Sequence, residues 1–218
     1  MKLRLFIFLT LLAVTLTACN FSLAEDVTPP PGYVAPTPAP TLAAVFPAAA
    51  PDINSGAAIF AEKCAPCHGA TGQGDGPQAA NLPVAVAPLG KAEFASLASP
   101  ARWYTVVTEG NIQKMMPPFA SLTDQQRWDV VAYAFSLSAS AEQVQAGKAL
   151  YEVSCAQCHG ANGSQLPEAN LASQETRAKL SNNDLVSLIQ QGIPPAMPAT
   201  ELSDGDAANL AAYARTFT

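Results

Sequence analysis

Three kinds of patterning divide the chain. The first is an apolar run, Leu5–Leu16, which follows Lys2 and Arg4 and gives way to the small residues Thr17 and Ala18. A basic start, a short apolar core and small residues after it mark a secretory signal, residues 1–18; a membrane span needs about 20 apolar residues. The second, residues 19–53, is rich in Pro and Ala and has no helical period. It reads as a disordered, polyproline-like tether, with a reach on the order of 100 Å at about 3.1 Å per residue. The third is the remainder, where segments with helical stop and start signals follow one another and no stretch sustains the period-two alternation of a strand.

Those signals predict an all-α chain. Asn54 or Ser55 is placed to cap a helix that runs through Glu62. "SPARWYTVVTEG" has Ser99 as cap, Pro100 at the first helical position and Gly110 as the stop. "LTDQQRWDVVAYAFSLS" opens on Thr123 with Gln126 three residues on, a capping box. The order then repeats: a helix from about Ala141 to Val153, "NNDLVSLIQQG" stopped by Gly192, and a last helix capped at Ser203. Both final helices carry Ala-Tyr-Ala, at 132–134 and 212–214. The chain is thus expected to hold two tandem helical units, residues 54–139 and 140–218.

The clearest repeat is chemical. "GAAIFAEKCAPCHGATGQG" (56–74) and "GKALYEVSCAQCHGANGSQ" (147–165) align without a gap. Each has a Gly eight positions before the first Cys, an aromatic four before it, then Cys-x-x-Cys-His-Gly. Two thiols at that spacing lie one helical turn apart and can attack the two vinyl groups of a haem, while the next residue, His, falls under the iron. Cys64, Cys67, Cys155 and Cys158 are therefore the candidate covalent attachment points, with His68 and His159 as axial ligands. A zinc site would bring its Cys pairs within roughly 20 residues of each other. A thioredoxin-like dithiol would need a βαβ context.

Composition fits this reading. The chain has five Cys and two His, and all but Cys19 lie in the two motifs. Aromatics are only 7% of residues, thin for two independent cores; a haem in each unit would be the missing apolar filling, since units this small need a staple. The formal net charge is −6. Without clustered Lys and Arg the surface argues against nucleic acid. It would suit a partner with a basic docking patch, or serve solubility alone.

The paired Cys-x-x-Cys-His, the downstream Met-Pro, and a Gly/aromatic first helix matched to a Tyr-bearing last helix resemble the class I cytochrome c family, over residues 53–138 and again over 141–218. The resemblance implies two cytochrome c domains, each a few helices wrapped around one covalently attached haem c, with first and last helices crossing closely. Gly56 and Phe60 would meet the face of Tyr133, and Gly147 and Tyr151 that of Tyr213. In the family the distal ligand is a Met before Pro in the loop preceding the last helix. Met197-Pro198 matches this, as does Met116-Pro117; Met115 has the better spacing from the preceding Gly, and Lys114 is an outside candidate. No spare His exists to serve instead. Pro83 and Pro167 are the candidate carbonyls for holding the His N–H. Trp103, Trp128, Tyr104 and Arg102 either touch haem edges and propionates or simply pack.

Leu16-Thr17-Ala18-Cys19 resembles the bacterial lipobox, which implies cleavage before Cys19 and a lipid on its sulfur. Together these resemblances imply a lipid-anchored dihaem cytochrome at the extracytoplasmic face of a bacterial membrane. It would carry single electrons between redox protein partners, free or as the haem subunit of a larger complex, without substrate chemistry of its own. Dihaem peroxidases and thiosulfate dehydrogenases share the fold pair, but the first needs a vacant iron with an acid–base group, and the second a free Cys ligand.

Overall fold

In each half, the first and last helices approach so closely that only a glycine fits between them. The computed structural model describes residues 46–217; the signal segment, Cys19 and the tether up to residue 45 lie outside them. Helix α1 (Ile53–Ile59) crosses α5 (Asp124–Ser136) at Gly56. A Cβ there would lie 2.1 Å from the Asp129 carbonyl oxygen and 2.9 Å from Tyr133 Cβ. Helix α6 (Ala141–Ser154) crosses α10 (Asp204–Ala214) at Gly147 in the same way, where a Cβ would lie 1.9 Å from the Asn209 carbonyl oxygen. One turn on, Phe60 packs on Tyr133 with ring centroids 5.3 Å apart, and Tyr151 on Tyr213 at 5.4 Å, both tilted by 58°. The expected crossings are therefore present in both halves.

The start of α1 differs from expectation. Its cap is Asp52, whose carboxylate accepts from the N–H groups of Asn54 (2.8 Å) and Ser55 (3.3 Å). Both residues expected to cap are already donors inside the first turn. Asp52 is itself held from across the crossing, since its N–H donates to buried Asp129 at 2.9 Å. Nor does the helix run evenly to Glu62. From Phe60 to Cys64 it widens into a π-helical turn, then resumes as α2 (Ala65–His68). Such turns commonly mark functional sites. In the second half α6 runs as regular helix up to Ser154 and α7 (Ala156–His159) follows directly.

The remaining helices are α3 (Ala92–Ala95) and α4 (Pro100–Glu109) in the first half, α8 (Gln174–Lys179) and α9 (Asn182–Gln191) in the second. The caps at Ser99, Thr123 and Ser203, and the stops at Gly110 and Gly192, form where the sequence puts them. Among the described residues the only strand-like pairing is two isolated bridges.

The first-half core is aromatic. Trp103 packs against Phe135 at 4.1 Å between centroids, and Tyr104 stacks on Trp128 at 4.3 Å, its hydroxyl donating to Asp124. Trp103, Trp128 and Tyr104 are buried in this aromatic packing, and Arg102 is exposed. The second-half core is smaller, built on Tyr151, Leu210 and Phe217. The halves also touch. Ala178 of α8 is buried in the first-half core, the Asn183 N–H donates to the Ser96 carbonyl at 3.2 Å, and the Arg215 guanidinium lies 5.7 Å from the Phe135 ring centroid.

Two outcomes follow. Gly56→Ala or Gly147→Ala forces the crossing apart and lowers stability by about 1–3 kcal/mol in chemical denaturation, the usual range for overpacking. At the start of α9, the Ser181 hydroxyl and N–H both donate to Asp184, which holds its carboxyl below the ordinary value of 3.8. That stabilisation is present above about pH 3.8 and is lost as pH falls through the lower folded value. Asp184→Asn should therefore flatten the acid limb of a stability–pH profile.

Candidate functional site

The two Cys-x-x-Cys-His segments are built alike. Cys64 caps α2 (φ −112°, ψ −41°), and Cys155 caps α7 (φ −115°, ψ −35°). The second Cys lies within each short helix, the His is its last residue, and the chain then turns at Gly69 or Gly160 with φ 80° and 76°. All four thiols are free, so neither pair has closed on itself. Burial, with Cys67 adding to it, pushes the Cys64 thiol up to about 12, against a smaller opposing pull from Lys63. Burial and Cys158 likewise raise Cys155. Cys64, Cys67 and Cys155 are half-buried, and Cys158 is exposed.

The histidines fit an axial role. Burial lowers His68 below its ordinary 6.5, outweighing the bond to Ala87 that favours the charged form, so its imidazole is neutral at pH 7. Its Nδ1 lies 3.0 Å from the Ala87 carbonyl oxygen. A carbonyl only accepts, so Nδ1 carries the proton and the Nε2 lone pair is left for a metal. The expected carbonyl was Pro83; the loop explains the change. Gly74, Gly76 and Gln78 donate to the carbonyls of His68, Cys67 and Pro66, and Gly90 donates to Gly72. The loop is thereby laid flat against α2 and returns at Ala87, four residues beyond Pro83. In the second half the shorter loop closes through Gln165 N–H to His159 O and Leu171 N–H to Gly163 O. His159 Nδ1 is buried there with no hydrogen-bond partner among the described residues, from Pro167 or elsewhere.

The two methionine loops also match, and the match separates Met115 from Met116. Asn111 exchanges both backbone hydrogen bonds with Met116 (2.7 and 3.0 Å), and Ile193 does so with Met197 (2.8 and 2.9 Å). Asn111 and Ile193 each follow the helix-ending Gly. The extra residue of the first loop is absorbed by a 3-10 turn over Ile112–Lys114 and by Met115, which sits at φ 59° and is 53% exposed. Met116 is half-buried, and Lys114 is exposed. Gly110 and Gly192 are needed where they stand. Both have positive φ, and a Cβ would come within 2.8 Å of Met116 O or 2.5 Å of Met197 O. Three residues past each Met, Phe119 and Thr200 donate back to the preceding helix, at Val107 and Gln190.

Cys64 and Phe119 pack on the first-half core, and Cys155 and Leu202 on the second, so each motif and the segment after its Met-Pro converge on one cluster. A cavity of about 210 Å³ lies elsewhere, between the halves, lined by Pro100, Trp128, Phe135, Arg177 and Arg215 among others. None of the motif Cys, His or candidate Met ligands lines it.

Residues 53–138 match the family model described as cytochrome c, and residues 142–213 that described as cytochrome C oxidase, cbb3-type, subunit III. Among curated proteins nothing matches. A solved chain of the Kuenenia stuttgartiensis reducing HAO-like protein complex is 21% identical, with 78% of this chain and 97% of that chain covered and a TM-score of 0.36; a likeness at that score carries no argument. The chain belongs to the c-type cytochromes. It has two cytochrome c domains, one in each half, whose class binds haem c through its thiols and transfers electrons.

The strain at Met115 can be tested directly. A non-glycine residue at this φ costs roughly 1 kcal/mol. Met115→Gly should raise stability by about 0.5–1 kcal/mol in thermal or chemical unfolding, since it removes that strain at an exposed position.

Proposed function

We propose that the protein is a dihaem electron carrier tethered to the extracytoplasmic face of a bacterial membrane. The observation that carries this is the matched pair of sites: in both halves a Cys-x-x-Cys-His turn stands with a Met-Pro bridge preceded by a helix-ending Gly, and no further His is available in the chain. Cys64 and Cys67 hold one haem c, Cys155 and Cys158 the other. His68 and Met116 would hold the first iron, and His159 and Met197 the second. Met116 rather than Met115 takes this role because it occupies the bridge position of Met197.

Bound haem c supplies a one-electron ferric–ferrous couple. The chain contributes position and environment. Helices α2 and α7 present two thiols one turn apart. Ala87 fixes the His68 tautomer. A thioether opposite imidazole favours the reduced iron and raises the potential. With both axial positions filled from the chain, the protein relays electrons and performs no substrate chemistry.

Its partners are redox proteins. The lipid on Cys19 and the tether, which ends before Asp52 caps α1, hold the head away from the bilayer. No helix among the described residues is long and apolar enough to cross a membrane. A second reading has one specific support: the oxidase-subunit family model matched by residues 142–213 favours membership of a larger oxidoreductase complex. Purification from solubilised membranes separates the two, since a complex subunit co-purifies in fixed ratio with its partners and a free carrier does not.

Met116→His and Met197→His should each change the visible spectrum of one haem and lower its midpoint, while Met115→Leu changes neither. An unaltered spectrum in both His variants would overturn the ligand assignment. Cys19→Ser should move the protein from the membrane to the soluble fraction.

A further inference from the structure

The two halves differ in how they would balance the charge on an oxidised iron. An axial imidazole that donates its other N–H to a carbonyl is a stronger base, and a stronger base favours the oxidised metal. His68 makes that bond, to Ala87 at 3.0 Å. His159 does not: its Nδ1 is buried and finds no acceptor among the described residues.

Buried charge differs in the same sense. The first half buries a carboxylate, Asp129, 4% exposed, whose partners are the neutral donors Asp52 N–H and Gln125 Nε2. Two guanidinium groups carried by the second half line the cavity between the halves. Arg215 donates to Asn182 Oδ1 and to the carbonyls of Arg177 and Leu180; Arg177 donates to the Arg215 carbonyl through Nη2, while its buried Nε and Nη1 have no partner. Neither is in a salt bridge among the described residues. Burial pushes Arg215 down to about 10 and lowers Arg177 as well, and their mutual repulsion adds to the effect on Arg215, against a smaller opposing pull from Asp184. A buried negative charge favours the oxidised, more positive iron, and a buried positive charge disfavours it.

We infer that the second half holds the site of higher reduction potential, so that electrons enter at the first half and leave by the second. The inference rests on the two-haem reading above. One term opposes it: residues 140–218 carry eight acidic and four basic residues, against six and five in residues 55–139. Most of that excess is on exposed side chains, where charges are screened beyond a Debye length of about 8 Å at physiological salt. The hydrogen bond to the ligand and the enclosed charges are not screened in that way. Both arginines face first-half residues across that cavity, and Arg215 also leans over Phe135.

The test is a spectroelectrochemical titration of the full-length, haem-loaded protein, with Met116→His and Met197→His used to assign the two waves. The expected result is two midpoints, of which Met197→His removes the upper and Met116→His displaces the lower. Coincident midpoints, or an upper wave removed by Met116→His, would overturn the inference. If the His variants fail to load, the double variants Cys64→Ala/Cys67→Ala and Cys155→Ala/Cys158→Ala leave one haem each and assign the waves independently. A wild-type chain with fewer than two haems would overturn the two-haem reading itself, and this inference with it.

Discussion

Each half is organised around a contact of backbone on backbone, where the carbonyl of Asp129 or Asn209 lies in the space that a side chain on Gly56 or Gly147 would fill. Everything downstream is set from that contact. It fixes the axis of α1 against α5 and of α6 against α10. It brings the aromatic one turn later onto a tyrosine of the partner helix. One further turn leads to the first Cys. The motif thiols and the His therefore inherit their place from a helix crossing rather than from a loop, and a rigid element holds side chains more precisely.

The methionine side is placed by different means. A glycine with positive φ ends α4 and α9, and the next residue bridges to the Met, so the thioether follows from helix end to loop through two backbone bonds. The first loop is one residue longer than the second and still delivers the equivalent bridge. It does so by giving Met115 a left-handed conformation and turning it to solvent. Conserving the bridge at the cost of one strained residue indicates which geometry the site requires.

Much of this was legible in the sequence because it is local or repeated. Caps at Ser99, Thr123 and Ser203 need only residues within one turn, and the Gly/aromatic/Cys spacing appears twice in register. What escaped the sequence depends on distant partners. Asp52 caps α1 partly because Asp129, far along the chain, holds its N–H. The carbonyl that meets His68 belongs to Ala87 and not Pro83, since a chain of loop hydrogen bonds decides where the loop returns. Helices α3 and α8 are too short to show a period. The docking of Ala178 into the first-half core and of Arg215 onto Phe135 has no local signature at all.

That last contact changes how the pair of domains is understood. Two linked carriers need only a tether, whereas these halves share a core residue, a backbone hydrogen bond and an arginine–aromatic contact. The central claim is that both halves hold haem through their own thiols. Intact-mass measurement of the protein isolated from a host that matures c-type cytochromes tests this most directly. The account predicts a mass exceeding that of the polypeptide and its anchor by two haems, with one haem on the peptide containing Cys64 and Cys67 and one on that containing Cys155 and Cys158. A mature protein with a single haem, or with either peptide unmodified, would contradict it.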